Sequence, residues 1–108
     1  MSYTSLITFQ VAPGRSADFE RAFERTGMLT RPQAVDGFDG AVLHRGVDDP
    51  DTYIVIGRWR TTDAYREWQR RSIEDTPDLD GLLHTLLDAQ PGQLFQAFEE
   101  PTRAGAGA

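Results

Sequence analysis

The chain has 108 residues and contains no cysteine, no lysine and no asparagine. Without cysteine it has no disulfide framework, no thiolate nucleophile and no zinc ribbon. Without lysine it cannot form a Schiff base with a substrate. The sequence also lacks a phosphate-binding loop, a dinucleotide fingerprint and the Gly-x-Ser-x-Gly elbow of acyl-transfer enzymes. These absences exclude several enzyme classes and favour a function that needs few protein groups.

The balance of charge is acidic. Seventeen acidic residues stand against 11 basic ones, all of them arginine, and the formal net charge is -6. Nucleic acids and anionic membranes are bound by basic surfaces, so neither is expected as a partner. Residues 1–12 lack the basic and apolar regions of a signal peptide, and no apolar run approaches the roughly 20 residues of a membrane span. We therefore expect a cytoplasmic protein.

Length and local pattern predict one domain over residues 1–100 and a disordered tail of small residues over 101–108. Alternating apolar residues and turn signals predict four strands, over residues 3–11, 38–46, 52–59 and 93–98. Helical spacing and capping signals predict three helices. The first is capped by Ser16 and ends before Gly27, the second covers about 62–74, and the third runs from Thr76-Pro77 to Pro91-Gly92 with a stripe of Leu79, Leu82, Leu83, Leu86 and Leu87.

The order of these elements, β-α-β-β-α(α)-β, is the split βαβ or ferredoxin-like arrangement of the α+β class. It predicts a four-stranded antiparallel sheet with helices on one face. In the third strand, alternation puts Val55 and Trp59 on one side and Ile54, Ile56 and Arg58 on the other. A sheet that is apolar on both faces but has helices for only one is expected to bury the second face against another copy of the chain. A homodimer through the sheet face follows.

Three aromatic residues converge where the third strand meets the second helix. Trp59 ends the strand, Thr61 or Thr62 caps the helix, and Tyr65 and Trp68 lie three residues apart on one helix face. Aromatic residues in such a corner are ordinary core packing in many proteins, and they also form the walls of pockets. Both interpretations are consistent with the sequence.

The chain resembles the antibiotic biosynthesis monooxygenase family over about residues 3–99. The resemblance lies in Pro13-Gly14 after the first strand, in Asp36-Gly-Phe-Asp-Gly40 at the second strand, and in Trp59 followed by a Thr-Thr-Asp-Ala-Tyr cap and helix. It implies a dimeric α+β barrel. The family includes cofactor-free anthrone oxygenases, heme-degrading monooxygenases and many proteins without an assigned activity, so the fold alone does not choose the reaction.

For the anthrone oxygenases, the resemblance implies a pocket between the helices and the sheet. That pocket is lined by a strand tryptophan, a tyrosine six residues later and an asparagine four residues before the tryptophan. Trp59 and Tyr65 match the first two, and Val55 stands at the asparagine position. Val55 shares the strand face of Trp59 but cannot donate the hydrogen bond of an amide. The sequence therefore has two of the three residues of this site and lacks the asparagine amide.

For the heme-degrading branch, the resemblance implies an asparagine on the first strand, a tryptophan on the second helix and a histidine about ten residues beyond it. Trp68 matches the tryptophan, whereas Ile7 and Asp78 stand at the other two positions. Neither heme nor any other cofactor is therefore predicted. His84, on the third helix, is either a displaced ligand or an exposed hydrogen-bonding residue.

Three further features have two interpretations each. His44 shares a predicted strand face with Phe38 and lines either the pocket or the surface. Arg71, like Arg70, lies one turn beyond the aromatic residues and either reaches an anionic substrate or points to solvent. The acidic turn at residues 48–51 lacks the spacing and the terminal glutamate of a calcium loop, and no metal site is predicted.

The leading prediction is a cofactor-independent monooxygenase of secondary metabolism, acting on an anthrone-like or phenolic polycyclic substrate derived from a polyketide. Tyr65, Trp59 and His84 are the candidate catalytic residues. The candidate substrate-binding residues are Trp68, Val55, Ile7, His44 and Arg71. The alternatives are a cofactor-free cyclase or isomerase on the same scaffold, which the missing amide favours, and a non-catalytic ligand-binding dimer.

Overall fold

The computed structural model describes residues 2–74 and 76–98. The predicted tail at 101–108 and the last two residues of the predicted domain lie outside this part of the chain. The fold is α+β, and its elements in chain order are β1 (Tyr3–Val11), α1 (Ser16–Thr26), a 3-10 turn (Arg31–Ala34), β2 (Phe38–Arg45), β3 (Thr52–Trp59), α2 (Thr62–Ile73), α3 (Leu79–Leu83), β4 (Leu86–Ala89) and β5 (Gln93–Gln96).

The sheet is antiparallel, with strand order β2-β3-β1-β4, and β5 also pairs with β1. Pairs from Phe9↔Ala89 to Val11↔Leu86 join β4 to one end of β1, and pairs from Tyr3↔Gln96 to Leu6↔Gln93 join β5 to the other end. The two short strands thus occupy one edge of β1 in succession. The predicted ferredoxin-like fold with helices on one face is confirmed, with five strands instead of four.

The third predicted helix is wrong in its second half. Helix α3 ends at Leu83, and Leu86 and Leu87 belong to β4. The five leucines match helical spacing, but the edge of β1 offers unpaired backbone groups that a strand satisfies and a helix cannot. The amide of Ala12 donates to the carbonyl of Thr85 at 2.9 Å, which begins this pairing. Tertiary pairing therefore overrides the local helical pattern.

A β-bulge changes the face assignment within β2. Phe38 pairs with Trp59 and Gly40 pairs with Arg58, so the chain has one extra residue at Asp39. Such an insertion reverses the alternation of side chains beyond it. His44 therefore lies on the sheet face opposite Phe38, and the prediction that the two share a face is wrong.

The helix ends follow local signals except at the starts of α1 and α3. Helix α3 begins at Leu79 with Asp78 as its N-cap residue, so the predicted start at Thr76-Pro77 is wrong. The hydroxyl of Thr61 accepts from the amide of Ala64 at 3.1 Å, which confirms the cap of α2. Gly27 ends α1 in the left-handed conformation at φ 69°, as predicted. Ser16 does not cap α1, because the N-cap residue is Arg15 and makes no side-chain cap bond, while the Ser16 hydroxyl bonds the Asp51 carboxylate.

The core under the helices consists of two clusters. The larger lies against α1 and centres on Phe9, Phe19 and Tyr53, with Phe19 and Tyr53 ring centroids 4.6 Å apart. The smaller lies against α2 and centres on Trp59 and Tyr65. In the part of the chain that the structure describes, no helix is long and apolar enough to cross a membrane. The cytoplasmic location stays a prediction.

Candidate functional site

A cavity of about 350 Å³ lies between α2 and the helix-covered face of the sheet. Its size is within the range of small-molecule sites, which is about 300–1,000 Å³. Residues of β1, β2, β3 and α2 line it, together with Met28, Pro32 and Gly92 from connecting segments. The walls are mainly apolar, so a bound molecule would bury apolar surface against them.

The three predicted aromatic residues all line this cavity. Trp59 is 2% exposed and its ring packs edge-on against Tyr65, with centroids 5.4 Å apart. Phe38 adds a fourth ring, 5.0 Å from Trp59. Trp68 is half-buried and stacks with the Arg31 guanidinium, 5.5 Å from the ring centroid. The rings pack against one another and still leave open space beside them.

Arg31 fixes the outer side of Trp68, and sequence reasoning missed it. Its guanidinium donates to the carbonyls of Thr26 and Arg71 and to the hydroxyl of Thr76 at 3.0–3.1 Å. These bonds tie the segment after α1 to the C-terminal end of α2. Arginine suits this position because its planar fork can donate to several acceptors while it stacks on an aromatic ring. No local sequence pattern indicates this role of Arg31, because its hydrogen-bond partners lie up to 45 residues away.

The Tyr65 hydroxyl is a hydrogen-bond donor at neutral pH. Burial raises the pKa of Tyr65 above its ordinary value, and a hydrogen bond with Gln69 offsets part of this rise. Desolvation disfavours the phenolate, so the phenol keeps its proton. A side chain in this state can donate to an oxygen of a bound molecule but is a poor general base.

A second hydroxyl reaches the cavity from Ser5, which sequence reasoning also missed. Ser5 is 7% exposed and its Oγ accepts a hydrogen bond of 2.9 Å from Nε1 of Trp59. The alternation of Ile7 and Phe9 in β1 already placed Ser5 on the same face, and a small polar residue on an apolar face was a usable signal.

Among the described residues that line the cavity, Tyr65 is the only titratable one. The other polar side chains there belong to Ser5, Gln69 and Ser72, all of them neutral. The cavity can therefore hold a flat apolar molecule and donate hydrogen bonds to its oxygens. It does not bring a carboxylate or an imidazole to that molecule.

The remaining predicted site residues separate into two groups. Val55 and Ile7 pair across β3 and β1 and line the cavity. His44 lies on the opposite sheet face, and His84 follows α3 at the protein surface beside Arg15. Arg71 lies in a groove beyond Trp68, where its Nε bonds the Glu67 carboxylate at 2.8 Å. The structure does not bring these last three residues to the cavity.

The acidic turn after β2 is tied by its own hydrogen bonds. The Thr52 hydroxyl bonds the Asp49 carboxylate at 2.6 Å, and the Asp51 amide donates to the same carboxylate. Within residues 2–74 and 76–98, no three acidic or histidine side chains come together in a way that could hold a metal ion.

A ferredoxin-like sheet with an apolar cavity under its helices places the chain among the small α+β proteins of this fold. The chain belongs to the antibiotic biosynthesis monooxygenase family, whose model matches residues 2–73. No curated protein matches the sequence. The resemblance noted in the sequence is thereby confirmed at the level of the family.

Solved structures agree with this assignment. SnoaB, a cofactor-independent oxygenase from Streptomyces nogalater, is 28% identical over 92% of this chain and 95% of its own, with a TM-score of 0.66. A protein from Mycobacterium tuberculosis is 16% identical over 94% of this chain and all of its own, with a TM-score of 0.71. A conserved protein from Methanosarcina mazei is 10% identical over 89% and 92%, with a TM-score of 0.73. The last two show the fold alone.

Proposed function

We propose that the protein is a cofactor-independent monooxygenase acting on a flat polycyclic phenol or anthrone derived from a polyketide. The observation that carries this proposal is the cavity shared by Trp59, Tyr65 and Trp68, whose polar groups are neutral and mainly hydroxyls. The similarity to SnoaB, a cofactor-independent oxygenase, supports the reaction class. Molecular oxygen is small and apolar, so it can enter the same apolar cavity as the substrate.

The proposed reaction balances without a further reductant. An anthrone methylene loses one proton to water and becomes a carbanion conjugated with the ring oxygen. The substrate then supplies the electrons that reduce oxygen, and a carbon–oxygen bond forms at the former methylene. The oxygen–oxygen bond breaks as the carbonyl forms, so one oxygen atom stays in the ketone and the other leaves as water with the two methylene hydrogens.

The residues have separate roles in this proposal. Trp59 and Trp68 form flat walls that orient the rings, while Val55 and Ile7 form the floor on the sheet. Tyr65 donates a hydrogen bond to the substrate oxygen on which negative charge develops, which lowers the energy of the carbanion. His44, His84 and Arg71 have no role at the cavity, because they lie outside it.

Oxygen uptake with 1,8-dihydroxyanthrone tests the proposal. We expect uptake faster than the spontaneous oxidation, with equal molar amounts of oxygen consumed and quinone formed. Tyr65→Phe is expected to lower kcat at least tenfold, because it removes a donor to the developing anion. Tyr53→Phe is the control, since Tyr53 is also a buried tyrosine but belongs to the other core cluster. Uptake no faster than the protein-free rate would reject the oxygenase.

A cyclase or isomerase is the second candidate, and Val55 is the observation that favours it. The resemblance to anthrone oxygenases implies an amide at this position, and Val55 supplies an apolar group instead, which fits a reaction without oxygen. Tyr65 would then donate to a carbonyl of a flexible polyketide chain. Product formation in the absence of oxygen would distinguish this candidate, and saturable binding of an aromatic without turnover would indicate a binding protein.

We also propose a homodimer through the uncovered face of the sheet. Leu6 and Val42 flank Ile56 there, on the neighbouring strands β1 and β2. Val42 is 55% exposed and Phe95 of β5 is 51% exposed. A contiguous apolar area on an uncovered sheet face is typical of an interface. A second copy of the chain would cover it, as the family resemblance implies.

A further inference from the structure

The walls of the cavity contain a second hydroxyl whose proton has no acceptor among the described residues. Ser5 is the third residue of β1, paired with Gly57 of β3 on one side and with Leu94 of β5 on the other. It is nearly inaccessible to bulk solvent yet lines the cavity. Its hydroxyl is therefore in a position to contact a bound molecule.

The partner of Ser5 determines the direction of its hydrogen bonds. An indole N–H can only donate, so the Ser5 oxygen is the acceptor in its 2.9 Å bond with Trp59. The Ser5 hydroxyl keeps one proton to donate, and a hydroxyl that accepts a hydrogen bond becomes a better donor. The indole thus holds Ser5 as a donor directed away from Trp59.

Glycine at position 57 leaves room for this pair. A Cβ at Gly57 would lie 2.6 Å from the Ser5 oxygen and 2.9 Å from Nε1 of Trp59, too close to both. Any larger residue would displace one partner of the hydrogen bond. The third strand therefore carries a glycine at the position where the Trp59–Ser5 pair needs space.

Ser5 also lies beside the position that lacks an amide. Val55 pairs with Ile7, and this is the next pair on the same sheet face after Ser5 and Gly57, two residues along the ladder. Diagonal neighbours on one face of an antiparallel pair are about 7–8 Å apart, so Ser5 and Val55 face the same part of the cavity. A donor at Ser5 can serve a substrate oxygen that a donor at Val55 would serve.

We propose that Ser5, held by Trp59, donates a hydrogen bond to the anionic oxygen of the bound phenol or enol and is a catalytic residue alongside Tyr65. This inference rests on the proposed function, since it needs a substrate that reacts as its oxygen anion. In this proposal Ser5 of β1 donates the hydrogen bond that Val55 of β3 cannot donate.

The test uses 1,2-dihydroxyanthraquinone, a flat tricyclic phenol that changes colour on ionisation and is already at the oxidation level of a quinone. Its binding and its ionisation can be measured without turnover, so the result is independent of oxygenase activity. A donor to the anion lowers the pKa of the bound phenol. We expect Ser5→Ala to raise that bound pKa by about one unit relative to the unsubstituted protein.

The same shift has a consequence in affinity that separates a donor from a structural residue. One pKa unit corresponds to a tenfold difference between the two protonation states, so Ser5→Ala is expected to weaken binding of the anion about tenfold. Binding of the neutral dye is expected to change little. A residue that only supports the fold would weaken both forms alike.

Two further variants keep the test interpretable. Ser5→Cys is close in size and keeps a weak donor, so it should fold if Ser5→Ala does not, and it should shift the bound pKa in the same direction. Thr85→Val removes a buried hydroxyl that donates to the Leu82 carbonyl far from the cavity. It is expected to leave the bound pKa unchanged.

Several results would overturn the proposal. It fails if Ser5→Ala and Ser5→Cys leave the bound pKa unchanged, if they weaken both forms of the dye equally, or if the unsubstituted protein does not bind the dye. Absence of oxygen uptake with anthrones, together with the expected pKa shift, would reject the oxygenase and support the role of Ser5.

Discussion

The Tyr65 hydroxyl lies directly against the backbone of Gly92, where a Cβ would overlap its oxygen. Gly92 belongs to the short connection between β4 and β5, so the break in this edge of the sheet makes room for the phenol. Tyr65 is 7% exposed and packs against Trp59, which limits how far its ring can move away. The two residues are therefore expected to be coupled.

We expect Gly92→Ala to lower the free energy of unfolding by about 1–3 kcal/mol, as overpacking of a core does. In a Tyr65→Phe background the loss should be clearly smaller, because the overlapping oxygen is absent. Urea unfolding of the two single variants and the double variant measures the coupling. Equal losses in both backgrounds would show that the added methyl group does not contact the hydroxyl.

The stability of the protein is expected to fall as the pH rises above about 10, the ordinary pKa of tyrosine. Burial raises the pKa values of both Tyr53 and Tyr65 in the folded state. Between the ordinary and the raised values the unfolded chain has lost phenol protons that the folded chain still binds, so increasing pH favours unfolding. Below this range both states carry the protons and the contribution is fully present.

Removal of one of these phenols is expected to make the free energy of unfolding fall less steeply as the pH rises. Tyr65→Phe is expected to reduce the slope of the free energy of unfolding against pH above about pH 10. Urea unfolding at a series of alkaline pH values measures it, with the unsubstituted protein as reference. An unchanged slope would show that Tyr65 ionises equally easily in both states.

An amide at position 55 is expected to improve oxygenase turnover. Val55→Asn places a donor on the cavity floor, at the position where the resemblance to anthrone oxygenases implies an asparagine. A further donor to the developing anion should raise kcat severalfold in the assay with 1,8-dihydroxyanthrone. Stability should fall by about 1–2 kcal/mol, since an apolar residue is replaced by a polar one.

Val55→Ala is the control for this change, because it removes the same apolar group and adds no donor. It should lose stability without a gain in kcat. A gain of the same size in both variants would attribute the effect to a larger cavity. A loss of activity with Val55→Asn would argue against a need for an amide at this position.

A charge on the uncovered sheet face is expected to separate the proposed dimer. Ile56 lies between Leu6 and Val42 at the centre of this face, so Ile56→Glu would place a carboxylate in the interface, where its desolvation opposes association. Sedimentation velocity should show a dimer for the unsubstituted protein and a monomer for the variant. Val47→Glu is the control, since Val47 is 94% exposed in the turn after β2. A monomeric unsubstituted protein would contradict the proposal.

Local sequence signals were sufficient where the structure depends on neighbouring residues. The Thr61 cap and the left-handed Gly27 each follow from a preference that acts within one turn of helix. The strand ending at Trp59 and the face of α2 that carries Tyr65 and Trp68 follow from periodicity alone. Together these signals predicted the ferredoxin-like order of elements and the aromatic corner.

Long-range pairing decided the features that the sequence did not predict. Leu86 and Leu87 match a helix as well as a strand, and the open edge of β1 selects the strand. The extra residue at Asp39 has one local signal, the strand glycine Gly40 at φ 140°, but only the register of β2 with β3 shows that His44 moves to the far side of the sheet. These outcomes depend on backbone partners more than 25 residues away or on the register between strands.

The amino-acid sequence by itself determined the ferredoxin-like order of β1, α1, β2, β3 and α2 and the three rings of the corner, because capping and periodicity act between residues close together in the chain. Only the tertiary structure decided which polar groups meet those rings. Ser5 reaches Trp59 across 54 residues, and Gly92 makes room for Tyr65 across 27, because strands and helix are brought together by packing. Contacts of this kind depend on register and close approach, which no local pattern encodes.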